Sequence, residues 1–182
     1  YTHGNLSVLV NGYYMDFTDE IIKNGQIDRF GQPMTGNADK TSHMGFELVA
    51  RYVPVRTIEI SANGLFARSR LESYSVFGAD NNGNPIEKKL DGNRIAGFPE
   101  QLANLRLTWR DYGATASVSF KYVGEQYTDN YENDANKVDP YTVLNAMLGY
   151  KLPNVFGMKS LEFRLGIYNV LDELYAMSGE GD

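Results

Sequence analysis

Residues 104–122 read NLRLTWR-DYG-ATASVSFKY. On the first arm Leu105, Leu107 and Trp109 alternate with Asn104, Arg106, Thr108 and Arg110. On the second, Ala114, Ala116, Val118, Phe120 and Tyr122 alternate with Thr115, Ser117, Ser119 and Lys121. Strict alternation places one set of side chains on each face of a pleated strand. Two such arms around the short joint at 111–113 predict an antiparallel hairpin. One face is apolar up to an aromatic end and the other carries full charges. In a water-soluble sandwich the apolar face would meet a second sheet. In a transmembrane barrel it meets lipid, and the charged face lines the interior. The barrel reading is favoured by what surrounds this hairpin.

Alternation recurs at 5–17, 45–53, 57–66 (continuing towards Tyr74), 101–109, 114–126, 141–150 and 161–171. These make about seven strands, most of them long enough for the roughly 9–11 residues that a tilted strand needs to cross a bilayer. Long polar stretches at 24–40, 77–94 and 128–137 are expected as loops. They alternate with short joints at 53–56, 110–113 and 152–159, where Pro54 and Pro153 mark tight turns. Long loops at one end and short turns at the other are the asymmetry of a membrane barrel. The charges Glu47, Arg51, Glu59, Arg106, Arg110, Lys121, Glu162 and Arg164 all fall opposite the bulky apolar face. An Arg or Lys on the lipid side would cost about 2–4 kcal/mol at the midplane, so this phase is informative. The fold expected is all-β: a segment of an antiparallel up-and-down transmembrane β-barrel, about seven strands of a larger barrel.

Composition narrows the classes. The 182 residues carry a net charge of -6, with a pI near 5.0 and a mean hydropathy of -0.40. This acidity argues against nucleic acid as partner, and no apolar run is long enough for a membrane helix. Without cysteine there is no disulfide framework or thiolate metal site. Thirteen tyrosines fit the aromatic belts at a membrane boundary as well as any exposed sheet. A basic start and short apolar run of a secretory leader are lacking, and 178–182 (SGEGD) looks like a loop. Both ends read as cut from a longer protein.

No catalytic set is evident. His3 and His43 have no metal-ligand partner at helical or strand spacing. The run 80–84 (DNNGN) is followed by Pro85 where a calcium loop needs glycine, and no glutamate stands at the twelfth position. The acidic run Asp129, Glu132 and Asp134 reads as a solvated loop tip. In a receptor, Tyr127, Asp129, Tyr131 and Glu132 are the candidate ligand contacts at the mouth.

Several segments resemble the C-terminal barrel strands of TonB-dependent outer-membrane receptors. These are NRIAGFPEQLANLRLTW (93–109), YVGEQYTDN (122–130), VDPYTVLNAMLGY (138–150) and YNVLDELY (168–175), in that order. Gly97-Phe98-Pro99 matches that family's G-x-P strand lead-in, and residues 140–145 its sY-x-v-x-d strand start. Residues 169–175 match its N-L-F-D-x-x-Y segment, and 45–48 a G-x-E-L start. Val170-Leu171 replaces the commoner Leu-Phe, and Asn145 stands where Asp is usual. The family's last strand, plug and TonB box are not found, so the resemblance implies that 1–182 is one C-terminal β-barrel segment, about a third of a barrel of about 22 strands. It further implies bacterial outer-membrane localisation, contact with membrane lipid, and TonB as partner through the plug. The ligand implied is a large scarce nutrient such as a ferric siderophore, with no cofactor in this piece and no enzymatic activity. A passive porin, a barrel enzyme and a soluble β-sandwich binding domain are the alternatives. A barrel enzyme needs wall-borne Ser, His and Asp groups, which the sequence does not announce.

Overall fold

The computed structural model describes residues 1–80 and 82–177; the loop expected at 178–182 lies outside them. In chain order the strands are β1 (Thr2–His3), β2 (Leu6–Ile27), β3 (Pro33–Val55), β4 (Ile58–Ser73), β5 (Ser75–Ala79) and β6 (Pro85–Lys89). They continue as β7 (Gln101–Asp111), β8 (Ala114–Val123), β9 (Gln126–Tyr127), β10 (Lys137–Val138), β11 (Tyr141–Val155) and β12 (Met158–Ile167). A single turn of 3-10 helix spans Asp134–Asn136. Eight strands form one antiparallel sheet in the order β1-β2-β3-β4-β7-β8-β11-β12, while β5–β6 and β9–β10 are small separate hairpins. The large sheet is a meander that does not close: β1 and β12 are its edges. Its seven long strands are the seven that alternation predicts.

The register lines up side chains across the whole sheet. One row runs Leu6, Tyr52, Ile60, Leu107, Val118, Ala146 and Ile167. The row beside it on the same face runs Val8, Ala50, Ala62, Leu105, Phe120 and Leu144. The opposite face carries Ser7, Arg51, Ser61, Arg106, Ser119 and Asn145. Opposite charges meet there: Arg51 and Arg110 reach Glu59 at 2.9 and 3.5 Å. All eight strand charges singled out above sit on this polar face. The apolar rows are not packed into a core. Leu105, Leu107, Trp109, Phe120 and Phe163 are 37–58% exposed. A sandwich would bury them, so that reading fails. Among the described residues, buried apolar side chains gather in two clusters at the long-loop end, one of Ile22, Ala38, Leu71, Tyr74, Leu90 and Ile95, the other of Val123, Tyr141 and Val143.

Four expectations are corrected. Residues 24–40 are not mainly loop: β2 and β3 stay paired as far as Ile27 and Pro33, around a tip at Asp28–Gln32. Beyond a bilayer the ladder hydrogen bonds suffice, and an apolar face is no longer required. Residues 77–94 hold a hairpin, β5–β6, rather than continuous loop. Pro54 and Pro153 lie inside β3 and β11, and the turns are Arg56–Thr57 and Phe156–Gly157. The last long strand ends at Ile167, and 168–175 leave the sheet. Every connection at the short end is thus only two residues.

Gly45 is a packing requirement of the polar face. A Cβ there would lie 2.5 Å from the Phe66 carbonyl oxygen and 2.9 Å from the Tyr13 hydroxyl. At Gly64 the nearest atom would be at 3.5 Å, an ordinary contact. Gly45→Ala is therefore expected to destabilise by about 1–3 kcal/mol as overpacking against backbone, and Gly64→Ala by much less. Urea unfolding of the full-length protein in detergent measures both.

Candidate functional site

The long-loop end gathers three segments over the top of the sheet: the extended tips of β2 and β3, residues 93–100 leading into β7, and residues 124–140 joining β8 to β11. Each is shaped by short polar side chains. Asp129 is buried, and its Oδ1 accepts from the amides of Tyr131 (2.8 Å) and Asn133 (3.5 Å) while Oδ2 accepts from Asn136 Nδ2 (2.9 Å). Asn133 caps the 3-10 turn. These bonds make the loop a self-contained unit.

Asn130 ties that unit to the rest. Fully buried, it donates from Nδ2 to the Lys23 carbonyl at 2.7 Å and accepts at Oδ1 from the Ala96 amide at 2.9 Å. Its own carbonyl accepts from Asn93 Nδ2 at 2.9 Å. One side chain therefore joins β2, the 93–100 segment and the loop.

Two ionic groupings flank this clasp. Arg94 donates from Nη1 to Glu125 Oε1 at 2.9 Å and from its amide to Glu132 Oε1 at 2.8 Å. Glu125 also meets Lys137 Nζ at 3.3 Å, and Glu100 receives Arg70 at 2.6 Å. Arg70 and Arg94 are bridge partners, and Arg70 faces Ser42 on the apolar side of the sheet, so this cluster stands above the apolar rows. The Arg94 hydrogen bond, followed by that from Lys137, holds the Glu125 carboxyl below the usual carboxylate range. A depressed carboxyl stabilises the fold above its ordinary pKa, and that contribution disappears as pH falls through the lower folded value. The 124–137 loop is thus expected to become more protease-sensitive below about pH 4. Glu125→Gln, measured by limited proteolysis, should show that sensitivity already at neutral pH.

The second grouping lies on the polar face. His43 Nδ1 meets Ser69 Oγ at 2.9 Å, and Nε2 meets Glu20 Oε2 at 3.0 Å. Thr41 donates its hydroxyl to the same Glu20 oxygen. Phe17 packs edge-on and Phe98 at a tilt against the imidazole, at 5.6 and 5.5 Å. Strand parity alone would send Glu20 to the apolar face. Asp19 has φ 56°, and beyond it the faces reverse, so Glu20 reaches His43 while Ile22 and Ala38 join Leu71 in the core. These hydrogen-bond partners of His43 are 23 and 26 residues away on neighbouring strands, where only register brings them together.

Beside Glu20 opens a cavity of about 340 Å³ between β2, residues 96–98 and residues 126–128. Of the four residues expected at the mouth, Tyr127 lines it. The Tyr127 ring also lies 5.4 Å from the Arg94 guanidinium carbon, and its hydroxyl donates to Asp134. Glu132 joins Arg94 as described. Tyr131 turns instead to the β5–β6 hairpin, its ring 4.6 Å from Lys88 Nζ. Asp129 has both carboxylate oxygens engaged in holding the loop. No motif or spacing singles out Arg94, Glu125, Asn130 or Glu20. Among the described residues no group of three or more His, Cys, Asp or Glu is placed to hold a metal ion.

The sequence matches the family described as TonB dependent receptor-like, beta-barrel, over residues 1–170. No curated protein matches the chain. Among solved structures, the siderophore receptor PiuA from Acinetobacter baumannii superposes with a TM-score of 0.72 at 22% identity, over 96% of this chain and 23% of that one. The ferric yersiniabactin uptake receptor FyuA from Yersinia pestis gives 0.71 at 18% identity, over 100% and 25%. The copper transporter OprC gives 0.70 at 18% identity, over 100% and 26%. The chain thus spans about a quarter of the length of each of these proteins.

Proposed function

The chain belongs to the TonB-dependent receptors, as part of their β-barrel, and from that premise we propose that residues 1–182 are a C-terminal length of barrel wall in a receptor for active uptake of a large, scarce nutrient, a ferric siderophore fitting best. Barrels of this family are bacterial outer-membrane proteins. The apolar rows then face lipid, the polar face looks inward, and the two-residue turns mark the periplasmic end. The observation that carries the reading is the unbroken apolar row from Leu6 to Ile167, exposed and without a second sheet over it. Both open edges suit a larger barrel, because lipid leaves no backbone group unpaired.

In this reading the described residues do structural and binding work, with no catalytic step. Tyr127, Tyr131 and Glu132 contact ligand at the mouth, and Asp129 shapes the loop that presents them. TonB acts on a plug held inside the barrel, and its pull supplies the energy. The test is uptake of a radiolabelled ferric siderophore by cells in which the parent protein is the sole receptor. Accumulation should stop on deletion of the protein and on collapse of the proton-motive force with a protonophore. Uptake that persists after the protonophore would mean a passive pore.

A further inference from the structure

We propose that the cavity beside Glu20 is a binding site for a cationic, ammonium-bearing end group of the carried molecule, with the Glu20 carboxylate as its counter-ion. The proposal rests on the receptor reading above and adds the charge class of the ligand. Most of the cavity wall is apolar, with Ile22, Ala96 and Phe98 on it and the Tyr127 ring alongside. Only Glu20 and Lys23 among its lining residues carry charge.

The carboxylate is held in place. Thr41 and His43 both bind Oε2, and the His43 ring is itself fixed by Ser69 and wedged between Phe17 and Phe98. With the Ser69 hydroxyl donating to Nδ1, the imidazole carries its proton on Nε2 and donates to Glu20, so a neutral ring suffices to support an ionised carboxylate. An ammonium arriving here would form a charge-assisted hydrogen bond. Partial exclusion of water strengthens that attraction. An anionic group would meet the Glu20 charge, and the Lys23 ammonium in the same lining is the charge that opposes a bound cation. Thr41, His43 and Ser69 are positioning residues in this arrangement, and Glu20 is the group that touches ligand.

The test uses the full-length receptor in detergent and two probes. Dansylcadaverine carries an aryl group and an ammonium tail; its N-acetyl derivative keeps the shape and loses the charge. By fluorescence polarisation the ammonium form should bind about tenfold more tightly than the acetylated form, as expected for one partly desolvated ion pair. Glu20→Gln should erase that preference, and Lys23→Ala, which leaves Glu20 as the sole charge in the lining, should strengthen it. Thr35→Lys is a second variant should Glu20→Gln fail to fold. Thr35 is exposed and borders the cavity, so a lysine there folds readily and should repel the ammonium probe. Equal binding of the two probes by the unaltered receptor, or a preference that survives Glu20→Gln, overturns the proposal. Protonophore-sensitive siderophore uptake is measured in parallel. Uptake without any ammonium preference removes the cation site alone, whereas absence of uptake removes the receptor reading.

Discussion

Leu105→Arg is expected to lower the folding stability of the full-length receptor by about 2–4 kcal/mol, enough to cut the amount assembled in the outer membrane severely. Leu105 stands between Ala62 and Phe120 in a row whose flanking rows are aliphatic and aromatic. Trp109 ends that face on one side and Tyr122 on the other, which sets Leu105 near the middle of the belt. A guanidinium there has no partner and no water, and its aliphatic stem is too short to bring it to either boundary at no cost. Met147→Arg is the matched control. Met147 lies on the opposite face, with Ser117 and Gly166 as register partners, and the new charge would meet the wet interior. Urea titration of both variants in detergent, with heat-modifiable gel migration as the mark of a folded barrel, reads the difference. Equal penalties for the two would mean that the faces have been assigned the wrong way round.

The same alternation explains what the sequence discloses about this fold. Wherever a strand divides lipid from a wet interior, its pattern is imposed residue by residue, and the strands at 101–109 and 141–150 are legible for that reason. Above the belt the constraint ends. Residues 24–40 look like loop because they are polar, yet they pair because β2 and β3 supply each other's backbone partners. Pro54 and Pro153 look like turns, but each lies in the last three residues of its strand, two or three positions before the true turn, where a missing amide costs little. The candidate site is less legible still. Tyr127 and Glu132 stand out in an acidic, aromatic loop, whereas Glu20 depends on a reversal of faces at Asp19 that no period reveals. Asn130 is one polar residue among many in that loop, and its value comes from a carbonyl 107 positions away.

Asn130→Ala is expected to release the 124–140 loop from the barrel top. The substitution removes, at a buried position, the hydrogen bonds that Asn130 makes to the Lys23 carbonyl and the Ala96 amide. A buried Ala96 amide without its acceptor costs about 1–3 kcal/mol, and the hydrogen bond to the Lys23 carbonyl is lost with it. That loss is local, because Asp129, Asn133 and Asn136 still hold the loop's own shape and the ladder from β2 to β12 is untouched. Global unfolding should therefore change little, while hydrogen exchange at Ala96 and across 124–137 accelerates by about 30-fold or more, the factor matching 2 kcal/mol. Because the cavity beside Glu20 has one wall on β2 and the others on 96–98 and 126–128, freeing the loop should also weaken ligand binding without altering the amount of receptor assembled. Asn130→Asp separates the two bonds: it keeps the acceptor for Ala96 and loses the donor to Lys23. A loop whose exchange is unchanged in both variants would show that the clasp does not hold the site together.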